Sequence, residues 1–254
     1  SCSSRPRCPE RRSGRCRRPT EHGQRPQHRC QRATLELARE AGLDVPETRL
    51  VKLPDNREVM LIDRFDRQAG PTGLTRRHMV SALTMLGASE MDSPNMRYAD
   101  IADVIGARAP RDRVQRDREE MFGRMVFNIL VGNNDDHLRN HAFLYDAEAS
   151  GWQLSPLYDV VPATSPSLER DLHLTVGDMG RAARLDNALT SAGQFNLRRP
   201  EAARIIDRIH RVVRQWRMTF EAKGVSVRDC DYIESAFLHA RHLGMDAVLS
   251  AMEA

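Results

Sequence analysis

The segment that most restricts the fold runs from Asp112 to Asn140. Its first twenty residues repeat apolar side chains at helical spacing and end in Met125-Val126-Phe127-Asn128-Ile129-Leu130-Val131, apolar on nearly every side. A helix of that kind has to run through a core, because turning it cannot hide its surface from water. It stops at Gly132, and six of the nine residues from Gly132 to Asn140 are Asn, Asp or His. Asn and Asp are ordinary turn and cap residues, but their density at the exit of a core helix points to chemistry as well.

Other apolar spacings predict helices over 76–87, 96–106, 184–193, 200–222 and 229–249, and one that opens at Ala33 and stops at Gly42 before Pro46. Two strands, RLVKL from Arg49 and REVMLID from Arg57, flank Pro54-Asp55-Asn56, whose turn chemistry suits a hairpin. Short strands around 141–145 and 151–155 lie directly beside the polar cluster. The expected class is therefore α+β, mainly α-helical. With 254 residues, 40% of them hydrophobic, the chain can fill a sizeable core in one large or two modest domains. No apolar run approaches the roughly 18 to 20 residues that cross a bilayer, and the charged N-terminus lacks a signal-peptide core. The expected location is the cytoplasm, with no membrane contact.

The net charge of +4 and a pI near 9.0 suggest nucleic-acid binding until the charges are located. Residues 1–32 carry ten Arg and two acids, a net of +8, and leave the remainder at 29 basic and 33 acidic residues, a net of −4. Apart from cysteine this tail has nothing apolar to bury, so disorder is expected. Cys2, Cys8, Cys16 and Cys30 stand too far apart for the usual pairing of zinc ligands, and no secretory context supports disulfides. Composition changes sharply at Ala33, as it would where a GC-rich reading frame has shifted. A native basic arm is the alternative.

Within the polar cluster, Asp135 stands five residues before Asn140, and a further Asp159 follows in Ser155-Pro156-Leu157-Tyr158-Asp159. Kinase catalytic loops use this spacing: a base Asp, an Asn that holds magnesium, and a second metal-binding Asp on a later strand end. Asp136 does not fit, since the residue five positions on is His141. A D-x4-N pair alone is common by chance. The wider segments are more specific: NILVGNNDDHLRNHAFLYD, LSPLYDVVP, ATLELAREAGLDVPETRL, VMLIDRFDR and SALTMLGA together resemble the HipA-like serine/threonine kinases, toxins of toxin–antitoxin pairs, in order over residues 33–250.

That resemblance implies a protein-kinase-like C-lobe over 68–254 and a remnant of the N-lobe and hinge over 33–67. It implies Asp135 as catalytic base, Asn140 and Asp159 as Mg²⁺ ligands, and ATP as phosphate donor. Asp63, Arg64 and Phe65 match the adenine-facing hinge, His137, Leu138 and Arg139 lie in the nucleotide-contacting loop with Asn140, and Tyr158, which precedes the metal Asp159, counts with them toward nucleotide binding. Each has a plainer role open to it: Phe65 in a core, Arg64 on a surface acid, Tyr158 packed beneath the loop, His137 in a cap or structural hydrogen bond. The implied partners are a protein substrate and a HipB-like helix-turn-helix antitoxin, with DNA reached only through the antitoxin.

The sequence departs from the family upstream. Its two lysines are Lys52 and Lys223, Gln31 stands where the family tends to place a Glu, and no glycine-rich phosphate loop precedes Ala33. Each missing charge-assisted phosphate contact is worth roughly 1.5–3 kcal/mol, so a weak or inactive kinase is expected. A non-catalytic antitoxin-binding module is the competing reading, and nucleic-acid binding through residues 1–32 ranks last. Val160 to Gly180, with Ser165, Ser167 and Thr175, occupies the region where kinase substrates are often met and fits a surface loop equally well.

Overall fold

The computed structural model describes residues 27–54, 58–70 and 73–253. Helix α1 (Gln27–Glu40) buries Leu35, Leu37 and Ala38 almost completely. It starts before the compositional boundary at 32, for two physical reasons. Arg29 grips both carboxylate oxygens of Glu58 at 2.5 and 2.6 Å and reaches the Gly224 carbonyl at 2.6 Å. Cys30, the tail's nearest approach to an apolar side chain, is buried. Residues 27–32 thus belong to the folded body, and the disorder and zinc readings of residues 1–26 fall outside the described residues. Cys30 and Cys230 are both free thiols.

Strands β1 (Thr48–Lys52) and β2 (Glu58–Ile62) pair antiparallel with Leu50 opposite Met60, as the two apolar runs predict. Asp55 and Asn56 of the expected turn lie outside the described residues. A second hairpin, β3 (Arg67–Gly70) with β4 (Gly73–Arg76), was not anticipated. The helix expected over 76–87 is instead strand β5 (Met79–Ser81) followed by the single turn α2 (Ala82–Met85). Its apolar spacing suits either period, and a partner decides it. Strand β6 (Ala142–Asp146) offers a free edge to Met79–Ser81, while its other edge takes β7 (Gly151–Leu154). The Ser81 hydroxyl then caps α2 by accepting the Thr84 N–H at 3.2 Å.

Helices α3 (Tyr98–Arg108), α4 (Val114–Val131) and α5 (Leu185–Thr190) follow the expected periodicity closely. The stretch 200–222 divides into α6 (Arg199–Val213) and α7 (Trp216–Ala222), and 229–249 into α8 (Val227–Ile233), two short 3-10 turns and α9 (Met245–Glu253). Trp216 stacks flat on Phe237 at 4.1 Å and meets Phe220 edge-on at 5.4 Å, a placement allowed by the break at Arg214-Gln215. Among the described residues no helix is long and apolar enough to cross a membrane.

Helix α4 is the centre of the molecule: every residue from Met121 to Val131 is buried. Gly132 ends it in the left-handed region, φ +67°, and the amides of Gly132 and Asn133 both return to the Asn128 carbonyl. A Cβ at Gly132 would lie 2.6 Å from the Ala236 carbonyl oxygen. Gly132→Ala is accordingly expected to cost at least about 1–2 kcal/mol, through φ and through that clash. Urea unfolding measures it, and an unchanged midpoint would contradict it.

Candidate active site

Although α4 is buried, one face of it is polar. Asp117, Glu120, Arg124 and Asn128 recur at three- and four-residue spacing, so they share a stripe along the helix. Each holds backbone or loop. Asp117 accepts the Leu154 N–H at 3.0 Å, and Glu120 accepts the Asp44 N–H at 3.1 Å. Arg124, 1% exposed, donates to Glu120 at 2.8 Å and to the Ser155 carbonyl at 2.7 Å. Asn128 donates to Asp136 at 2.6 Å and accepts from Asn133 at 3.0 Å. Two loops therefore hang from one helix: the loop after Gly132, and the stretch from Leu154 that leads to Asp159.

The loop is organised by Asp136. Its Oδ2 takes the Tyr98 hydroxyl at 2.7 Å and the Asn128 amide at 2.6 Å, and lies 2.9 Å from His141 Nε2. The carboxylate is 1% exposed. Burial works to raise its pKa, but the His141 ring, the Tyr98 hydroxyl and the nearby Arg124 charge outweigh that and hold it below the ordinary carboxylate range. The same burial, with Asp136 beside it, keeps the Tyr98 phenol far above its usual value and therefore a donor.

With Asp136 turned inward, its neighbour Asp135 is exposed. The Asp135 carbonyl accepts the Asn140 side-chain N–H at 3.0 Å. That bond commits the Asn140 amide nitrogen and leaves its oxygen as a hard donor. Between them, a 3-10 turn (Leu138–Asn140) buries Leu138 completely, so Leu138 packs beneath the loop. His137 precedes this turn without a side-chain cap bond, and Arg139 pairs with Glu90 at 2.5 Å on the surface.

Asp159 arrives by a different route. It is exposed and holds φ +56°, a left-handed conformation that costs about 1–3 kcal/mol away from glycine and clusters at functional sites. Its neighbour Tyr158 donates to the Arg139 carbonyl at 2.6 Å. Burial pushes the Tyr158 phenol up to about 12, so it remains a donor. Asp159 and Asn140 are thus each one residue away from a direct hydrogen bond between their two segments. The Phe65 ring lies 5.6 Å from that of Tyr158, which brings the 63–65 segment to the same corner. The Arg64 side chain points to Asp66, at 2.7 and 2.8 Å, and the Asp63 N–H donates to the Glu47 carbonyl at 2.9 Å.

Sequence reasoning missed Asp136, Tyr98, His141 and Arg124. One signal was available: Asn128, a lone polar residue inside MVFNILV, needs a buried partner.

The body mixes helix and strand, and the Tyr158–Arg139 hydrogen bond and the Phe65–Tyr158 ring contact bring three of its segments to one corner, an arrangement of the protein-kinase-like class. The chain belongs to the family of the HipA-like C-terminal domain, which matches residues 27–216. It is 30% identical over 174 residues to a Haemophilus influenzae protein named "Putative kinase", covering 65% of this chain and 49% of that one. It is 26% identical over 162 residues to the serine/threonine-protein kinase toxin HipA of Shewanella oneidensis, covering 57% and 36%. Among solved structures it is similar to the Shewanella oneidensis MR-1 toxin–antitoxin system of HipA, HipB and operator DNA, with TM-score 0.68 and 18% identity over 89% of this chain and 57% of that one. At that identity the likeness is one of fold. The chain spans about half the length, or less, of the curated relatives it matches.

Proposed function

We propose that Asp135, Asn140 and Asp159 form the Mg²⁺-dependent, ATP-using phosphotransfer site of a HipA-type serine/threonine protein kinase. The observation that carries this reading is the Tyr158 to Arg139 hydrogen bond, which places the left-handed Asp159 beside the loop of Asp135 and Asn140. Asp135, exposed and free of a buried partner, is the base that takes the proton of a protein hydroxyl. Asn140 through its amide oxygen and Asp159 through its carboxylate would hold Mg²⁺. The donor set fits that ion. Magnesium in such sites takes only one or two protein carboxylates and completes its shell with phosphates and water. When bound, the ion would offset charge developing on the transferred phosphoryl group. Asp63, Arg64 and Phe65 meet the adenine chiefly through backbone groups, with His137 and Arg139 at the loop's rim.

Turnover by this chain is slow on the same reading. Lys223 lies 3.4 Å from Glu36, and Lys52 sits on β1 beside Glu58, so neither is placed as a dedicated phosphate grip. In the cell the chain acts in the cytoplasm as the toxin of a type II toxin–antitoxin pair and engages a HipB-like helix-turn-helix antitoxin, meeting DNA only through that partner. The fold shared with HipA in its complex with HipB and operator DNA supports the partner.

Thermal unfolding tests the site. If the affinity is millimolar, Mg-ATP at ten times its dissociation constant should stabilise the chain by about 1.4 kcal/mol, roughly 3–5 °C. The shift should need magnesium and vanish in Asp159→Ala. A shift that ignores both would sink the assignment.

A further inference from the structure

The segment after Asp159 meets the loop at its start, where the Ala163 N–H donates to the Gly132 carbonyl at 3.1 Å, and returns to it further on. Residues 173–176 run beside residues 93–98. The Thr175 N–H donates to the Met96 carbonyl at 2.9 Å, the Tyr98 N–H donates to the Thr175 carbonyl at 3.2 Å, and Arg97 and Thr175 form a parallel bridge. At the head of this pairing His173 Nε2 lies 3.0 Å from the Ser93 hydroxyl. The same oxygen accepts the Leu138 N–H at 3.4 Å. Ser93 is 4% exposed, and the His173 ring meets that of His137 edge-on at 5.8 Å. A cavity of about 140 Å³ opens beside them toward the Arg139–Glu90 pair. One serine oxygen thereby joins the 3-10 turn ahead of α3, the Asp135–Asn140 loop and the segment that follows Asp159.

We propose that Ser93 and His173 are positioning residues, which hold the Asp135–Asn140 loop in register with the segment after Asp159. This rests on the reading of Asp135 as the base. With its ring proton on Nδ1, neutral His173 accepts a hydrogen bond from the Ser93 hydroxyl at Nε2, which leaves the serine oxygen's lone pairs for the Leu138 N–H. Protonated His173 can only donate to that oxygen, and the hydroxyl hydrogen then turns into a buried site without its acceptor. Burial favours the neutral ring, and so do His137 and Arg181, while Asp135 and Asp136 oppose them; the net effect lowers the His173 pKa. Glu90 and Arg139 at the cavity rim pair with each other. The link is therefore intact above the ordinary histidine range and is lost as pH falls through the depressed value.

Amide hydrogen exchange on the full chain tests this without turnover. In Ser93→Ala and His173→Phe the Leu138 amide should exchange at least tenfold faster, with amides of α6 unchanged. In the phosphotransfer assay kcat should fall on acidification in step with the His173 imidazole titration followed by NMR, KM for ATP staying constant, and that pH break should be absent from His173→Phe. Equal Leu138 protection in all three proteins overturns the proposal, as does a pH break that survives in His173→Phe. A wild-type chain without turnover would bear on the kinase reading alone, as the extreme of the impairment expected of it, and the exchange rates would still decide this one.

Discussion

Asp136→Ala is expected to lower folding stability by about 3–5 kcal/mol, the range for removing one partner from a buried charged network. Three groups lose their shared acceptor at once: the Tyr98 hydroxyl, the Asn128 amide and His141. All three are buried, so water cannot replace the lost oxygen without opening the core. For a domain of this size the loss corresponds to roughly 6–20 °C in Tm. Asp136→Asn, which keeps the oxygen and drops the charge, should fall between. The pH dependence has a definite sign. Because the folded carboxyl titrates below its unfolded value, its stabilisation is present above the unfolded pKa of about 3.9 and is lost as pH falls through the lower folded value. Urea midpoints measured from pH 7 down to pH 3 should therefore begin to draw together for wild type and Asp136→Ala toward the acid end. A gap that stays constant across that range would contradict the assignment.

Asp135→Asn is expected to act in the opposite way, on rate and not on fold. The side chain is exposed and keeps its shape, so stability should change by no more than about 0.5 kcal/mol. Loss of a general base typically costs about 10²–10⁴ in rate, so on the proposed reading phosphotransfer should fall by that factor. Magnesium-dependent nucleotide binding, assigned to Asn140 and Asp159, should survive. Radiolabel transfer from ATP to a generic protein acceptor, measured alongside thermal shift, separates the two. Equal transfer by Asp135→Asn and wild type would remove Asp135 from the reaction. Rapid autophosphorylation of wild type at micromolar ATP would instead overturn the proposed impairment.

The contrast between these neighbours shows what could be read from the sequence. Helix α4 and its polar exit were legible because a buried helix has an unmistakable period and Gly132 ends it. The spacing from Asp135 to Asn140 singled out the exposed carboxylate. It also set Asp136 aside, because His141 stands where an asparagine was required, yet His141 is the group that Asp136 holds. A pattern built for metal ligands cannot register a carboxylate folded inward onto buried hydrogen-bond partners. Strand β5 was hidden for a similar reason: Met79–Ser81 becomes a strand because β6 has an edge to fill, and nothing within those residues says so. The division of 200–222 depends on Phe237, far along the chain, against which Trp216 stacks. The start of α1 depends on Glu58, which holds Arg29. In each case the missing information lies in a partner remote in sequence.

The polar stripe on α4 makes the site sensitive to length more than to composition. Arg124 carries the stretch leading to Asp159, and Asn128 carries the loop of Asp135 and Asn140. These anchors sit about one helical turn apart. One residue inserted or deleted between them would swing one anchor about 100° around the axis, separating the two halves of the site while every side chain remained present. The four-residue interval on α4 behaves as a fixed gauge.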